Sequence, residues 1–363
     1  MNMKLSEGTW LVLAVLALGC GDDPLHPVDG GADGGADADT DADGDADSDS
    51  DSDTDTDTDS DGDADGGTDG GAGDLGEPLY DAVGEYGTTI AANGDLADVY
   101  YPNPPDLATG GYAFPVAVLL QGADVDKGFY SAMATTVARY GFVVAIPNHE
   151  TLTGLYAEQS EVADTLAELA AEGADEASPL HGVVDATRLV LLGHSYGGVA
   201  GVNVVRGVCE LPSCVGLTYE RPPELVGAAF YGTNMAMPFI GTTVLSIQNA
   251  GIPLAFVQGS LDGKAAPADT QDAYDITQDP PKALVGVIGA NHYGVCDVNN
   301  PDGAAADANV PTLDQATATE TIGRWSALFL RAYALGDADA KAYVEGLGDP
   351  DDPNAVVAFV PAP

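Results

Sequence analysis

The run Gly193-His194-Ser195-Tyr196-Gly197 follows the apolar stretch 189–192 and precedes the small-residue stretch 198–205. Strand, sharp turn and helix in that order demand a layered α/β architecture, and they lift a serine hydroxyl onto a strained elbow from which it can attack a carbonyl. Glycines on either side of the serine allow the strand and helix to approach closely. The flanking strand and helix carry the signal more than the five residues do, because the chain holds 46 glycines in 363 residues and short Gly/Ser patterns arise by chance.

Around this elbow the pattern alternates. Residues 114–120 are a nearly continuous apolar run, as a strand buried on both faces requires. Helical spacing follows over 129–140, stopped by Gly141, and a strand over 142–146 ends at Pro147. Val162, Leu166 and Leu169 give 161–172 a helical apolar face. Further buried strands are expected at 188–192, 225–230, 253–257 and 283–288, with a long last helix over 314–335 closed by Gly336. This is an α/β domain over 76–363, a mostly parallel central sheet flanked by helices. Ligands bind along the carboxyl edge of such sheets, which is where Ser195 stands.

A serine hydroxyl needs a base within hydrogen-bond reach and a carboxylate to hold that base in the correct tautomer. The five histidines are His26, His149, His181, His194 and His292. His26 lies in a polar N-terminal tract, His194 adjoins the serine and should point into the packing beneath it, and His181 reads as a turn residue. His149 ends a strand and borders the cleft, which makes it a candidate substrate contact. His292, just past the strand at 283–288, is the candidate base, and its order after the serine and the acid is the one this architecture uses. For the acid, Asp262 lies five residues past the strand at 253–257; Asp269 and Asp272 are rivals, but both fall where a helix should have begun. Two backbone N–H groups must face the oxyanion of a tetrahedral intermediate. Tyr196, next to the serine, and Ala123, in the turn Gln121-Gly122-Ala123, are the candidates.

Ahead of the domain, Lys4 and the nine residues 10–18 of apolar character read as the core of a secretion signal, too short to span a bilayer. Ala17-Leu18-Gly19-Cys20 resembles a bacterial lipoprotein cleavage box over 1–20, with Cys20 as the lipidation site; a plain signal peptide is the alternative. Between Asp22 and Asp74 stand 21 aspartates among Gly, Ala, Ser and Thr. Residues 21–75 cannot bury enough apolar surface to fold and should form an extended, disordered tether with weak, nonspecific cation attraction. The spacing of its oxygens does not fit an ordered calcium loop. The remaining domain carries 36 acidic against 10 basic residues, so nucleic acid and anionic lipid are poor partners. The chain is therefore expected to be exported, reaching a membrane only through a lipid anchor, or to be secreted outright. In that setting Cys209 and Cys214 are near enough to close a small loop, with Cys296 free or paired elsewhere.

From about Val116 to Leu335 the sequence resembles the α/β-hydrolase superfamily, and within it the chlorophyllase and cutinase-like polyesterase group. Four blocks carry the likeness: Gly128-Phe129-Tyr130-Ser131 leading to Tyr140-Gly141-Phe142-Val143-Val144; Gly193 to Gly198; Asp262 with Ala266-Pro267; and Gly289-Ala290-Asn291-His292. The resemblance implies serine-dependent hydrolysis of small or polymeric carboxylic esters through an acyl-enzyme, without cofactor or metal. Departures are Gln121, where the group commonly has a histidine, and Tyr231-Gly232-Thr233-Asn234, where polyesterases place a tryptophan. Tyr231 could supply part of an aromatic clamp. Residues 206–223 and 235–250 read as cap loops that select substrate. A lipase or peptidase of the same fold, and a surface binding protein that has lost the chemistry, are the other readings.

Overall fold

Seven residues in a row buried on both sides, Phe114–Leu120 (β3), stand near the middle of the sheet. A computed structural model describes residues 75–214, 216, 218–235 and 246–361. The expected signal with Cys20, His26 and the aspartate tract through residue 74 lie outside the described residues, as do 236–245 of the second expected cap loop.

In chain order the strands are Val83–Thr89 (β1), Leu96–Pro102 (β2), β3, Val143–Asn148 (β4), the two-residue hairpin strands Glu150–Thr151 (β5) and Gly154–Leu155 (β6), Val184–His194 (β7), Leu225–Tyr231 (β8), Leu254–Gly259 (β9), Lys282–Val287 (β10) and Ala355–Val360 (β11). Among the described residues, nine of them form one sheet in the order β1-β2-β4-β3-β7-β8-β9-β10-β11. The six strands from β4 to β10 pair in parallel; β1, β2 and β11 add antiparallel edges. The fold is that of the α/β-hydrolases.

Helices Ser131–Arg139 (α1), Ser160–Ala174 (α2), Tyr196–Arg206 (α3), Pro267–Ile276 (α4) and Gln315–Leu330 (α5) cover the two faces. Because successive strand residues point to opposite sides, Ala117 and Leu119 of β3 join α1 and α5 in one core, with Trp325 and Phe329. Val116, Val118 and Leu120 join α2, α3 and α4 in the other, with Leu169 and Phe230. The chain moves from β3 to β4 on one side and returns to β7 on the other, so the loop after β3 and the turn after β7 lie side by side at the carboxyl edge. That topological switch is where open α/β sheets bind ligands.

The expected strands are present with their ends displaced by up to four residues, and the last helix continues as a π-helical turn, Arg331–Leu335, that stops at Gly336. Its N-cap Asp314 accepts from the Thr317 N–H. Residues 129–140 divide into a 3-10 turn, Lys127–Tyr130, and α1. A disulfide joins Cys209 to Cys214, and Cys296 is free and buried.

Candidate active site

Strand β7 delivers Ser195 to the sheet edge with φ 54° and ψ −117°, a conformation that costs a non-glycine residue free energy and persists only where its surroundings enforce it. The enforcing contacts are visible: the Ser195 N–H donates to the Tyr231 carbonyl at 2.9 Å, and its own carbonyl accepts from Val199 at 3.1 Å as α3 begins. Gly197 allows this start. A Cβ there would stand 2.2 Å from the Leu120 carbonyl oxygen, so the first turn of α3 sits directly on the end of β3.

Three side chains from three loops meet at this edge. The His292 Nε2 lies 2.9 Å from the Ser195 Oγ, and its Nδ1 lies 2.8 Å from one oxygen of Asp262 and 3.0 Å from the other. The His292 and Asp262 side chains are 2% and 0% exposed. Asp262 also accepts from the N–H groups of Lys264 and Ala265 at 2.9 and 2.8 Å. A carboxylate so held takes the Nδ1 proton as its hydrogen-bond donor, leaving the Nε2 lone pair facing the hydroxyl. The rivals Asp269 and Asp272 fall within α4.

Asp307, which carries no sequence motif, ties the acid loop to the base loop. Its carboxylate accepts from the N–H groups of Gly263 (3.0 Å), His292 (3.0 Å) and Asn309 (2.9 Å). Burial alone would raise its pKa, but the N–H donors hold the carboxyl below the usual carboxylate range.

His194 lies beneath the elbow. Its Nδ1 is 2.9 Å from the Tyr130 hydroxyl and its Nε2 is 2.9 Å from the His292 carbonyl oxygen; its ring centre lies 4.8 Å from that of His292. Complete burial pushes its pKa well below the ordinary histidine value, and the neighbouring His292 adds to this. The neutral ring thus accepts from Tyr130 at Nδ1 and donates from Nε2. Tyr130 in turn accepts the Gly122 N–H at 2.8 Å. A chain of hydrogen bonds therefore joins the turn after β3 to the loop that carries His292.

With the Gly122 N–H committed to Tyr130, the next donor along that turn is Ala123. Tyr196 is the first residue of α3, where a helix leaves its N–H groups without helical partners and its dipole positive. Neither the Ala123 nor the Tyr196 N–H has a protein partner among the described residues.

Tyr231 stands elsewhere than expected. It is 2% exposed and donates its hydroxyl to the Asn291 carbonyl, so it braces the His292 loop from below instead of lining the open cleft. The aromatic wall beside the elbow is instead Tyr196 against Tyr156, rings edge to face at 5.3 Å; Tyr156 carries no motif and escaped the sequence reading. Gln121, in the amide orientation that satisfies both neighbours, donates to the Pro147 carbonyl at 2.8 Å and accepts from the His149 N–H at 3.1 Å. The His149 ring, 20% exposed, points its Nδ1 at Asp95 from 2.9 Å.

Chemically, a hydroxyl, an imidazole and a buried carboxylate in this line can move a proton off the serine as it attacks, and two free N–H groups beside it can receive the resulting negative charge. Residues 105–216 match the family model described as Chlorophyllase, within the α/β-hydrolase superfamily. The chain resembles that family. The match spans β3 through the elbow and includes Ser195, but ends before Asp262 and His292. No curated protein matches the chain. Match and fold together support ester hydrolysis by an α/β-hydrolase.

Proposed function

We propose that this protein hydrolyses carboxylic esters through an acyl-enzyme, with Ser195 as nucleophile, His292 as general base and then acid, and Asp262 holding the imidazole. The observation that carries this reading is the continuous hydrogen-bonded line from the Asp262 carboxylate through His292 to the Ser195 hydroxyl. In the first half-reaction the Ser195 oxygen attacks the ester carbon while its proton passes to the His292 Nε2. The N–H groups of Tyr196 and Ala123 hold the oxyanion. Collapse of the intermediate breaks the bond to the alcohol, which leaves with the proton from His292. Water then attacks the acyl-enzyme by the same route, releasing acid and restoring the serine.

The kinship with chlorophyllases, and the cutinase-like features of the sequence, favour apolar esters, with the Tyr156–Tyr196 pair beside the acyl group. Export and lipid anchorage through Cys20 would put such an enzyme where extracytoplasmic esters are met. A complete triad favours catalysis over a silent binding role, because binding alone requires no buried acid behind the base. Fluorophosphonate labelling tests the reading. An adduct on Ser195, together with a fall of several orders of magnitude in p-nitrophenyl ester turnover for Ser195→Ala, is the expected result; unchanged turnover in that variant refutes it.

A further inference from the structure

Beside the elbow, at the same sheet edge, lies a second cluster that the ester chemistry does not use. Strands β2 and β4 pair antiparallel with Leu96 opposite Asn148, which brings Asp95 and His149, each one residue beyond its strand, across from one another. The first turn of α2 adds Glu161. The His149 Nδ1 is 2.9 Å from an Asp95 oxygen and 3.9 Å from the Glu161 Oε1, which also accepts the Glu158 N–H at 2.6 Å. One donor atom from each of the three residues fits within a 4.8 Å span.

The Glu161 side chain is 0% exposed, and its Oε2 has no hydrogen-bond partner among the described residues; Gln159 and Thr165, on the same stretch, leave one buried oxygen each in the same condition. Glu161 and Thr165 are one turn apart and share a helix face. A buried carboxylate oxygen without a partner is costly, and a cation shared with the facing Asp95 and His149 donors would satisfy it. No basic side chain is within ion-pair reach of Glu161 except the histidine itself, among the described residues.

We propose that Asp95, His149 and Glu161 bind a divalent transition-metal cation of the Zn²⁺ type, which clamps the end of β4 to the start of α2. The donor set selects the class. An imidazole nitrogen with two carboxylate oxygens suits Zn²⁺ and its neighbours, whereas Ca²⁺ and Mg²⁺ take oxygens throughout. Donors around tetrahedral Zn²⁺, with bonds of about 2.1 Å, stand about 3.4 Å apart; the two distances from the His149 Nδ1 bracket that value, so small rotations of the side chains close the shell. Three protein ligands leave a fourth position for water. The clamp reaches the oxyanion turn through Gln121, whose amide grips Pro147 and His149 and whose chain continues into Gly122 and Ala123.

The N-terminal tract offers many oxygens and one imidazole, His26, so the test must report a nitrogen ligand that is lost with His149. The full chain, stripped by a chelator and dialysed, is titrated with Co²⁺ as a coloured stand-in for Zn²⁺. The expected result is one equivalent that gives the strong visible absorption of a four- or five-coordinate site with a nitrogen donor, is displaced by Zn²⁺, and is absent in His149→Ala. In Glu161→Gln, binding should weaken at least about tenfold, the loss that even partners one shell removed from a metal produce. Zn²⁺ should raise the melting temperature of the native chain and leave that of His149→Ala unmoved. Where His149→Ala fails to fold, Asp95→Asn takes its place in both measurements. A spectrum identical in native and variant chains overturns the proposal. Neither arm depends on ester turnover, so this site and the proposed activity stand or fall separately.

Discussion

Replacing Asp307 with asparagine tests a carboxylate that fastens the acid loop to the base loop. One carboxylate oxygen takes the N–H groups of Gly263 and His292, the other takes that of Asn309. In Asp307→Asn the amide oxygen can replace the first, but the amide NH₂ then faces the Asn309 N–H, donor against donor. One charge-assisted bond, worth about 1.5–3 kcal/mol, is lost, and the other two fall to neutral strength. The expected destabilisation at pH 7 is about 3 kcal/mol, a large part of the 5–15 kcal/mol typical of a domain, measured by urea unfolding of both chains. The pH dependence fixes the cause. The folded pKa of Asp307 is depressed, so its contribution is present above the unfolded value near about 3.9 and is lost as pH falls through the folded value. The two unfolding curves should therefore converge on acidification below about pH 4. Because Asp307 acts through His292, kcat should fall more than KM rises. A stability difference below about 0.5 kcal/mol at pH 7, or one that persists unchanged into acid, would refute this account.

Gly197→Ala puts a Cβ 2.2 Å from the Leu120 carbonyl oxygen, a backbone atom of the central strand that cannot step aside; the expected loss exceeds the roughly 1–3 kcal/mol of ordinary overpacking, read by thermal unfolding. His194, neutral when folded and of depressed pKa, contributes stability that is complete above its unfolded value near about 6.5 and declines as pH falls below it. In His194→Gln that part of the stability–pH slope should vanish, and an unchanged slope between about pH 6.5 and 5 counts against the buried, neutral ring. Tyr156→Ala removes half of the aromatic pair at the elbow and should raise KM for aromatic esters several-fold while leaving acetate ester turnover within about twofold; equal effects on both would remove the pair from substrate contact.

The parallel strands were legible because burial on both faces leaves unbroken apolar runs: residues 114–120 match β3 end to end. β1 and β11 were not, since strands buried on one side alternate with polar residues and read like loops; β11 runs buried, exposed, half-buried, exposed. Ser195, Asp262 and His292 could be picked out because each follows a recognisable strand in a fixed order. Asp307 and Tyr156 could not. One is a carboxylate among 36 in the domain, whose partners are backbone N–H groups that leave no trace in side-chain chemistry. The other lies past a two-residue hairpin, β5–β6, too short to show any period. Tyr231 was misplaced for a related reason: a residue at a strand's carboxyl end borders the cleft in sequence terms, but alternation along β8 turns this ring down into the core with Ala229.

Gly232 explains why an aromatic clamp cannot stand where polyesterases place their tryptophan. It has φ 57°, and a Cβ there would lie 3.0 Å from an Asp262 oxygen and 3.2 Å from the His292 Nδ1. Any side chain at this position meets both a backbone that L-residues rarely adopt and the hydrogen bond that orients the imidazole. An indole could be seated only by moving Asp262 or His292, and movement of about 1 Å between reacting groups costs orders of magnitude in rate. The floor beneath the acid and base is therefore small, with Tyr231 buried under it, and the exposed-edge aromatic pair is Tyr196 with Tyr156. On the reading proposed above, an aromatic ester lying against that pair would approach Ser195 beside the N-terminus of α3, which is what the Tyr156→Ala measurement tests.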